Sequence, residues 1–342
     1  VEEQHIKILI LYMFSEENKN LEKILLKHNI IRSKKYELRS LTGGVSSDIW
    51  KIDDKMRIVC LKKAKKKLKV KQNWNAPLVR NMYEASWNEE VYKNFPFVVP
   101  KVLFKSKKPY FFVMNYYDEK LFPVWKKNLL ANNIDYTFAI KVAEYLYKIH
   151  NIFFRKKNIS KKFDNMHIFS ELRIKPYIIN LIKKNIDLKE KFIDISLSLS
   201  KNKMTLIHGD ISPKNILVKN KAPIFLDAEC ATYGDPAFDI AFCLNHLMLK
   251  KIKLKDSSKV LQKSFDFFIK KYLQNVNWED PSNLEKRVAK LLPVLMLSRI
   301  DGKSPVEYIT ANNEKNEVRL FSRNLIMKPV KSVSQISNKW FS

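Results

Sequence analysis

Two hydrophobic periods divide this sequence, and the point where one gives way to the other constrains the fold class. Between residues 35 and 116 the apolar residues mostly alternate in short runs. KYELRSL (35–41), DIWKI (48–52) and RIVCLKK (57–63) read as three strands, and stretches near 101–105 and 110–116 add two more. One long helix interrupts them. Over about 77–95, Val79, Tyr83, Trp87, Val91 and Phe95 fall on a single stripe at steps of four. Residues 16–29 predict a short amphipathic helix ahead of the strands, and KLFPVWKK (120–127) reads as a connection. From about residue 135 the period becomes helical, over 136–150, 167–184, 187–200, 236–250, 256–274, 281–298 and 304–326. Only 205–227 breaks it, with short apolar strands running from TLIHGD to NILV and then PIFLD. The expected class is α+β and bilobal. It has a small β-rich N-lobe with one long helix (13–117) and a larger α-helical C-lobe (118–342). Residues 1–12 are expected to be a non-native or disordered extension ahead of Met13.

Glycine is the scarcest punctuation in this chain. Five occur in 342 residues, at Gly43, Gly44, Gly209, Gly234 and Gly302. Average usage would give roughly two dozen. A chain this poor in glycine is expected to keep it where the backbone needs positive φ or close approach to a ligand. Gly209 stands in LIHGDISPKNIL, where Asp210 precedes Asn215 by five residues and Pro213 stiffens the link. Further on, IFLDAE ends in Asp227 and Glu229, which strict alternation puts on one side of a strand. Asp227 near Asn215 across a hairpin makes an oxygen-rich site suited to Mg2+. Phosphoryl transfer needs such parts: a carboxylate that accepts the hydroxyl proton, and ligands for a metal that neutralises the nucleotide's phosphates. The kinase template also places a glycine-rich loop, a third-strand lysine and a helical glutamate upstream. Gly43 and Gly44 lie between the first two strands, Lys62 lies on the third, and Glu84 shares the stripe of Trp87 and Val91.

These residues resemble a family, the group of aminoglycoside phosphotransferases, choline kinases and methylthioribose kinase with the protein-kinase-like fold. HGDISPKN is similar to its HGDxxxxN loop, LDAE to its metal-binding strand end, and YGDPAFDIA to the start of the following helix. LKKA, then Trp74, Arg80 and Glu84, then DAECATYGDPAFDIAFCLNHLML look closest to methylthioribose kinase. Asn215 departs from that enzyme, which has a smaller residue there, and sides with the aminoglycoside kinases. The resemblance covers roughly 36–250. It implies ATP and Mg2+ as cofactors, with Asp210 as the catalytic base or hydroxyl-orienting group. It implies Asn215 and Asp227 as metal ligands, joined by Glu229, and Lys62 on the phosphates, held by Glu84. The segment Met114, Asn115 and Tyr116 would meet adenine, and Asp239 would brace the catalytic loop.

A small-molecule hydroxyl is the expected acceptor, because only seven residues separate Asp227 from Asp235, leaving no room for the activation segment of a protein kinase. Aminoglycosides and choline are cations, yet the C-terminal helices are not acid-rich. Instead LLPVLMLS delivers Arg299, followed by Asp301, Gly302 and Lys303. Arg299 and Lys303 suit a polyhydroxy or anionic acceptor; a helix end with surface charges fits them equally. A sugar-like acceptor therefore leads. The alternatives are a choline, ethanolamine or aminoglycoside O-phosphotransferase, or an inactive nucleotide-binding protein, against which Lys62, Asp210, Asn215 and Asp227 all speak. The net charge of +29 is mostly scattered lysine, with ten arginines among 64 basic residues and no basic stripe, so no nucleic-acid partner is expected. No apolar run has the length of a membrane span. Cys60, Cys230 and Cys243, in apolar contexts without CxxC spacing, suit buried thiols in a cytoplasmic protein. Nothing in the sequence defines an oligomeric state.

Overall fold

The computed structural model describes residues 16–41, 46–67, 74–108 and 110–342. The expected extension at 1–12 and the pair Gly43–Gly44 lie outside the described residues. The chain separates into two compact units, residues 1–89 with 100–117, and 90–99 with 118–342.

In the first unit, helix α1 (Glu16–Lys27) precedes strands β1 (Glu37–Ser40), β2 (Ser47–Asp53) and β3 (Ile58–Ala64). Helix α2 (Arg80–Asn94) follows, then β4 (Val102–Lys107) and β5 (Tyr110–Asn115). The strands form one antiparallel sheet in the order β1-β2-β3-β5-β4. Alternation decides what each face meets. Trp50, Ile52, Val59, Leu61, Phe111 and Val113 share a core with Leu25 of α1 and with Ile30 and Ile31. The intervening Cys60, Phe112 and Met114 pack on the other face with Ala85 of α2. Lys62 is two residues from Cys60, so the pleat carries it to the α2 face. Helix α2 is buried on more than the single apolar stripe expected: Arg80, Asn81, Glu84 and Asn88 are as buried as Trp87 and Val91.

The second unit is mainly helical. Its longer helices are α3 (Tyr136–Phe153), α4 (Lys189–Lys201), α5 (Pro236–Lys250), α6 (Ser258–Leu273), α7 (Pro281–Asp301), α8 (Asn312–Met327) and α9 (Val333–Phe341). Strands β6 (Thr205–Ile207) and β9 (Thr232–Gly234) pair antiparallel, and β7 (Ile216–Lys219) pairs β8 (Ala222–Phe225) as a hairpin. Asn220 and Lys221 turn that hairpin with φ of 44° and 64°, the doubly positive pattern whose twist suits a two-residue loop. Helix α5 is buried along its whole length, as the central helix of a bundle must be. Asp235 caps it, accepting from the Ala237 N–H, and Pro236 occupies the first turn, where no N–H is missed.

Several sequence expectations give way here. The stretch 120–127 runs into a short helix, Trp125–Leu130. The helix expected over 167–184 is a chain of short pieces, with a π-helical turn at Ser170–Ile174 and 3-10 turns after Tyr177. Pro176 lacks the N–H that a continuous helix would use there. The last long helix begins at Asn312 rather than 304, beyond Pro305. Three-residue β9 is too short to show a period, and the nine-residue C-terminal α9, although amphipathic with Val333, Ile336 and Trp340 on one side, was not among the expected helices. Among the described residues no helix is long and apolar enough to cross a membrane.

Candidate active site

In the first unit, the register of β3 against β2 and β5 sets Lys62 between Ile49 and Phe112. Its Nζ lies 2.9 Å from Oε1 and 2.7 Å from Oε2 of Glu84. Both side chains are nearly inaccessible, at 3% and 1% exposure. Beside them burial pushes the Cys60 thiol up to about 12, with the Lys62 charge opposing, so Cys60 stays an inert thiol. One turn before Glu84, the fully buried Arg80 guanidinium donates to the carbonyls of Ala76, Pro77, Ser46 and Lys65. Four carbonyls on one planar fork tie the entry to β2 and the exit from β3 to the start of α2. At the end of β5, Met114 is buried, Asn115 is exposed with its N–H bonded to Lys101 O at 3.1 Å, and Tyr116 carries Lys51 over its ring at 5.4 Å.

In the second unit the segment after β6 is held from three sides. From α5, Asp239 accepts the N–H groups of His208 and Gly209 at 2.7 and 2.8 Å, and His150 of α3 reaches the same carboxylate at 3.2 Å. From within the loop, His208 Nδ1 accepts the Asp210 N–H at 3.1 Å while Nε2 faces Leu226 O at 3.0 Å. Those partners select the neutral tautomer with its proton on Nε2. Burial agrees, lowering the His208 pKa against the pull of Asp239, Asp210 and Asp227. From the π-helical turn, Arg173 donates through Nε to Gly209 O at 2.6 Å and through Nη1 to Leu172 O at 2.8 Å, and its Nη2 pairs with Asp210 Oδ2 at 2.9 Å. The ion pair is buried, at 7% and 4% exposure. Lys214 approaches the same oxygen at 3.4 Å; Asp210 first, then Asp227 and Tyr177, raise its pKa against the desolvation it suffers. Gly209 itself has φ +78°, and a Cβ there would stand 2.6 Å from the Cys230 carbonyl oxygen, so only glycine fits without strain.

Asn215 is buried, its Nδ2 donating to Asp210 O at 3.1 Å and its own carbonyl accepting Leu226 N–H at 2.9 Å. The amide nitrogen is committed, which leaves Oδ1 as the atom able to bind a cation. Asp227 corrects the sequence reading. Strand β8 ends at Phe225, and Asp227 sits beyond it with φ +67°. The left-handed residue breaks the pleat, so alternation does not relate Asp227 to Glu229. Both carboxylates still lie in the cluster: Asp227 pulls the Lys214 pKa up and opposes the lowering of His208, and Glu229, 7% exposed, helps Asp210 to raise Arg173. Among the described residues no three His, Cys, Asp or Glu side chains converge on one point. Mg2+ asks for less: one or two carboxylates, with substrate phosphates and water completing the shell. Asn215 Oδ1 with Asp227 and Glu229 fits that donor chemistry.

Arg299 is buried in the last turn of α7. Its Nη1 donates to Tyr177 Oη at 3.1 Å and Ser304 Oγ at 3.0 Å. The Tyr177 ring has two guanidinium groups near its centre, Arg173 at 5.4 Å and Arg299 at 5.7 Å. Lys303 is only half-buried, with its N–H on Pro176 O at 3.3 Å. Gly302 closes this turn because a Cβ would stand 2.4 Å from Ser298 O. Its scarcity value is packing. Arg173, Tyr177 and Lys214 escaped the sequence reading. The usable signal was arginine itself, rare in a lysine-rich chain and so placed where a planar, doubly bonding cation is needed.

The α+β fold, with a five-stranded sheet and long helix in one unit and a larger helical unit around a short β insertion, is that of a kinase-like phosphotransferase. The chain belongs to the phosphotransferase enzyme family (APH), whose sequence model matches residues 37–251. It is accordingly an enzyme that transfers phosphate to a hydroxyl group of a small molecule. Solved structures share the fold. A choline kinase from Cryptosporidium parvum superposes with a TM-score of 0.56 at 13% identity, covering 94% of this chain and 99% of its own. An ethanolamine kinase from Plasmodium vivax gives 0.53 at 14% identity, over 85% and 83%. An amicoumacin kinase in complex with AMP-PNP and Ca2+ gives 0.57 at 13% identity, over 93% and 96%. No curated protein matches by sequence. The finer likeness to methylthioribose kinase stays an expectation.

Proposed function

We propose that this enzyme transfers the γ-phosphoryl group of ATP, with Mg2+, to a hydroxyl of a small sugar-like metabolite. One observation carries most of the reading: Asp210, fixed through Arg173 and the Asp239-held loop, stands beside Asn215 and the Asp227–Glu229 turn. Phosphoryl transfer depends chiefly on positioning and charge, and a carboxylate braced at both backbone and side chain suits that work. In this reading Asp210 orients the acceptor hydroxyl and takes its proton. Asn215, Asp227 and Glu229 hold the metal. Mg2+, when bound, neutralises charge developing on the phosphates. Lys62, held by Glu84, pairs with the nucleotide phosphates, Gly43 and Gly44 take part in binding the nucleotide, and the Met114, Asn115 and Tyr116 segment meets adenine. Arg299 and Lys303 bind the acceptor. A cytoplasmic setting, with ATP and Mg2+ at hand, suits the reaction.

An ATP-consumption screen tests this directly. Methylthioribose, other sugars, choline, ethanolamine and aminoglycosides are offered to the wild type and to Asp210→Ala. Turnover in the wild type, abolished in the variant with ATP binding retained, is expected. Equal turnover by both proteins would remove Asp210 from the mechanism.

A further inference from the structure

Lys250 is the last residue of α5, and it is 1% exposed. An ammonium group has three donors. Here one of them finds the His246 carbonyl at 3.2 Å, and the charge lies 5.6 Å from the centre of the Tyr308 ring. Among the described residues no carboxylate is within ion-pair distance of Lys250 or of Arg299, which is 9% exposed. Glu307, an acidic group whose charge couples to both, is already engaged by Lys126. Two further polar atoms in this neighbourhood are buried without a partner, Arg299 Nε and Tyr308 Oη. Buried cations are ordinarily paired, so two of them close enough to feel each other's charge, with unused donors, are a charge pattern that lacks its anion. Burial first, then the nearby Lys126 and Arg299 charges, lower the Lys250 pKa to about 7, while Cys243 and Glu307 pull it upward. Burial and the same cations drive the His246 pKa well below its ordinary value, so that ring stays neutral.

The cluster is linked to the catalytic loop. Arg173, which pairs with Asp210, also stands 5.6 Å from the centre of the Phe242 ring, and Phe242 contacts His246 at 5.4 Å between ring centres. Phe242, His246 and Lys250 occupy successive turns on one side of α5, about 6 Å apart each. Arg299 joins from α7 through Tyr177.

We infer that Lys250 and Arg299 form the seat for an acid group, carboxylate or phosphate ester, at the far end of an elongated phosphoryl acceptor whose hydroxyl lies at Asp210. This rests on the phosphotransferase reading above and narrows it. A hydroxy acid or a sugar phosphate fits this geometry, whereas an amino alcohol or an aminoglycoside would bring a cation to two buried cations. Tyr308 Oη supplies a neutral donor beside them.

Sulfate tests the seat without turnover, because its charge is constant between pH 6 and 8. Titration calorimetry of the full chain, without nucleotide, is expected to show one sulfate site. Its affinity should fall about tenfold from pH 6 to pH 8 as Lys250 loses its proton, the expectation for a group titrating near 7. Arg299, Lys126, Glu307, Tyr308, Cys243 and His246 face the ammonium from its own and neighbouring elements, and none but Lys250 is expected to change charge in that window. Lys250→Met and Arg299→Gln should each weaken sulfate at least tenfold, with the exposed Lys191→Met unchanged. A pH-independent affinity in the wild type, or loss in Lys62→Met alone, would overturn the seat. The acceptor arm offers gluconate, glycerate and pantothenate for a carboxylate, ribose 5-phosphate for a phosphate ester, and ribose and choline as controls. An acidic acceptor whose KM rises tenfold in Lys250→Met, at constant KM for ATP, supports the inference. Efficient turnover of choline, indifferent to Lys250→Met, refutes it. Sulfate binding intact in a protein that turns over nothing keeps the seat and sinks the kinase reading instead.

Discussion

Replacing Arg173 by alanine tests the brace on Asp210 most sharply. The substitution deletes three interactions at once: the 2.9 Å ion pair to Asp210, and the hydrogen bonds to the Gly209 and Leu172 carbonyls. Removing one partner of a buried pair costs about 3–5 kcal/mol. Lys214 stays at 3.4 Å from Asp210 but is about half exposed, so it recovers at most about 1 kcal/mol. The two carbonyls left behind add about 1 kcal/mol each if no water reaches them. The sum places Arg173→Ala at about 5 kcal/mol of lost stability in the second unit. Arg173→Lys keeps the charge and loses the fork, and should cost about half as much. Urea unfolding followed by tryptophan fluorescence measures the total. In an Asp210→Asn background, the cost of Arg173→Ala should shrink by about 3 kcal/mol. The carbonyl part persists there while the charge part disappears. Equal costs in the two backgrounds would show that Arg173 merely packs, and that its pairing with Asp210 contributes nothing.

Gly209→Ala combines positive φ with a Cβ 2.6 Å from Cys230 O, and should cost about 3 kcal/mol by urea unfolding; a loss below about 1 kcal/mol would mean that the loop gives way freely. Asp227→Ala should abolish Mg2+-dependent nucleotide binding in calorimetry, and undiminished metal dependence would remove it from the metal site. Lys250→Met should stabilise the unliganded protein in a pH-dependent way. With the folded pKa lowered to about 7 from 10.5, the unfolded chain holds a proton between those values that the folded chain lacks. The penalty is therefore full below 7 and vanishes as pH rises to 10.5. The variant should gain about 4 kcal/mol at pH 6 and almost nothing at pH 10.5; a constant gain would assign it to packing alone.

Residues whose neighbours are set by period were legible in the sequence. Lys62 sits two places from Cys60 on an alternating strand, and Glu84 three places before Trp87 on a helix, so both were readable as inward-facing, and the structure pairs them at 2.7 Å. Asp227 was readable as a residue of the hairpin end but not in its conformation, because alternation stops where φ turns positive. Arg173 was hidden for a related reason. It lies in a π-helical turn between short helical pieces, where the 3.6-residue rule assigns it no face, and its partner is 37 positions away. Nothing in the sequence sets Lys250 apart from the other lysines of a lysine-rich chain. Only the packing of every side of α5 makes it a buried charge.

The grip of Asp239 on the backbone of His208 and Gly209 has a consequence for how the loop moves. Those two amide protons belong to no strand or helix, yet they end on a fully buried carboxylate of the central helix. Their exchange with solvent therefore requires opening of that helix rather than fluctuation of the loop. The segment that presents Asp210 shares the lifetime of the unit's core. Remodelling it locally would mean breaching that core, so divergence in what such an enzyme phosphorylates would be easier outside the loop than within it.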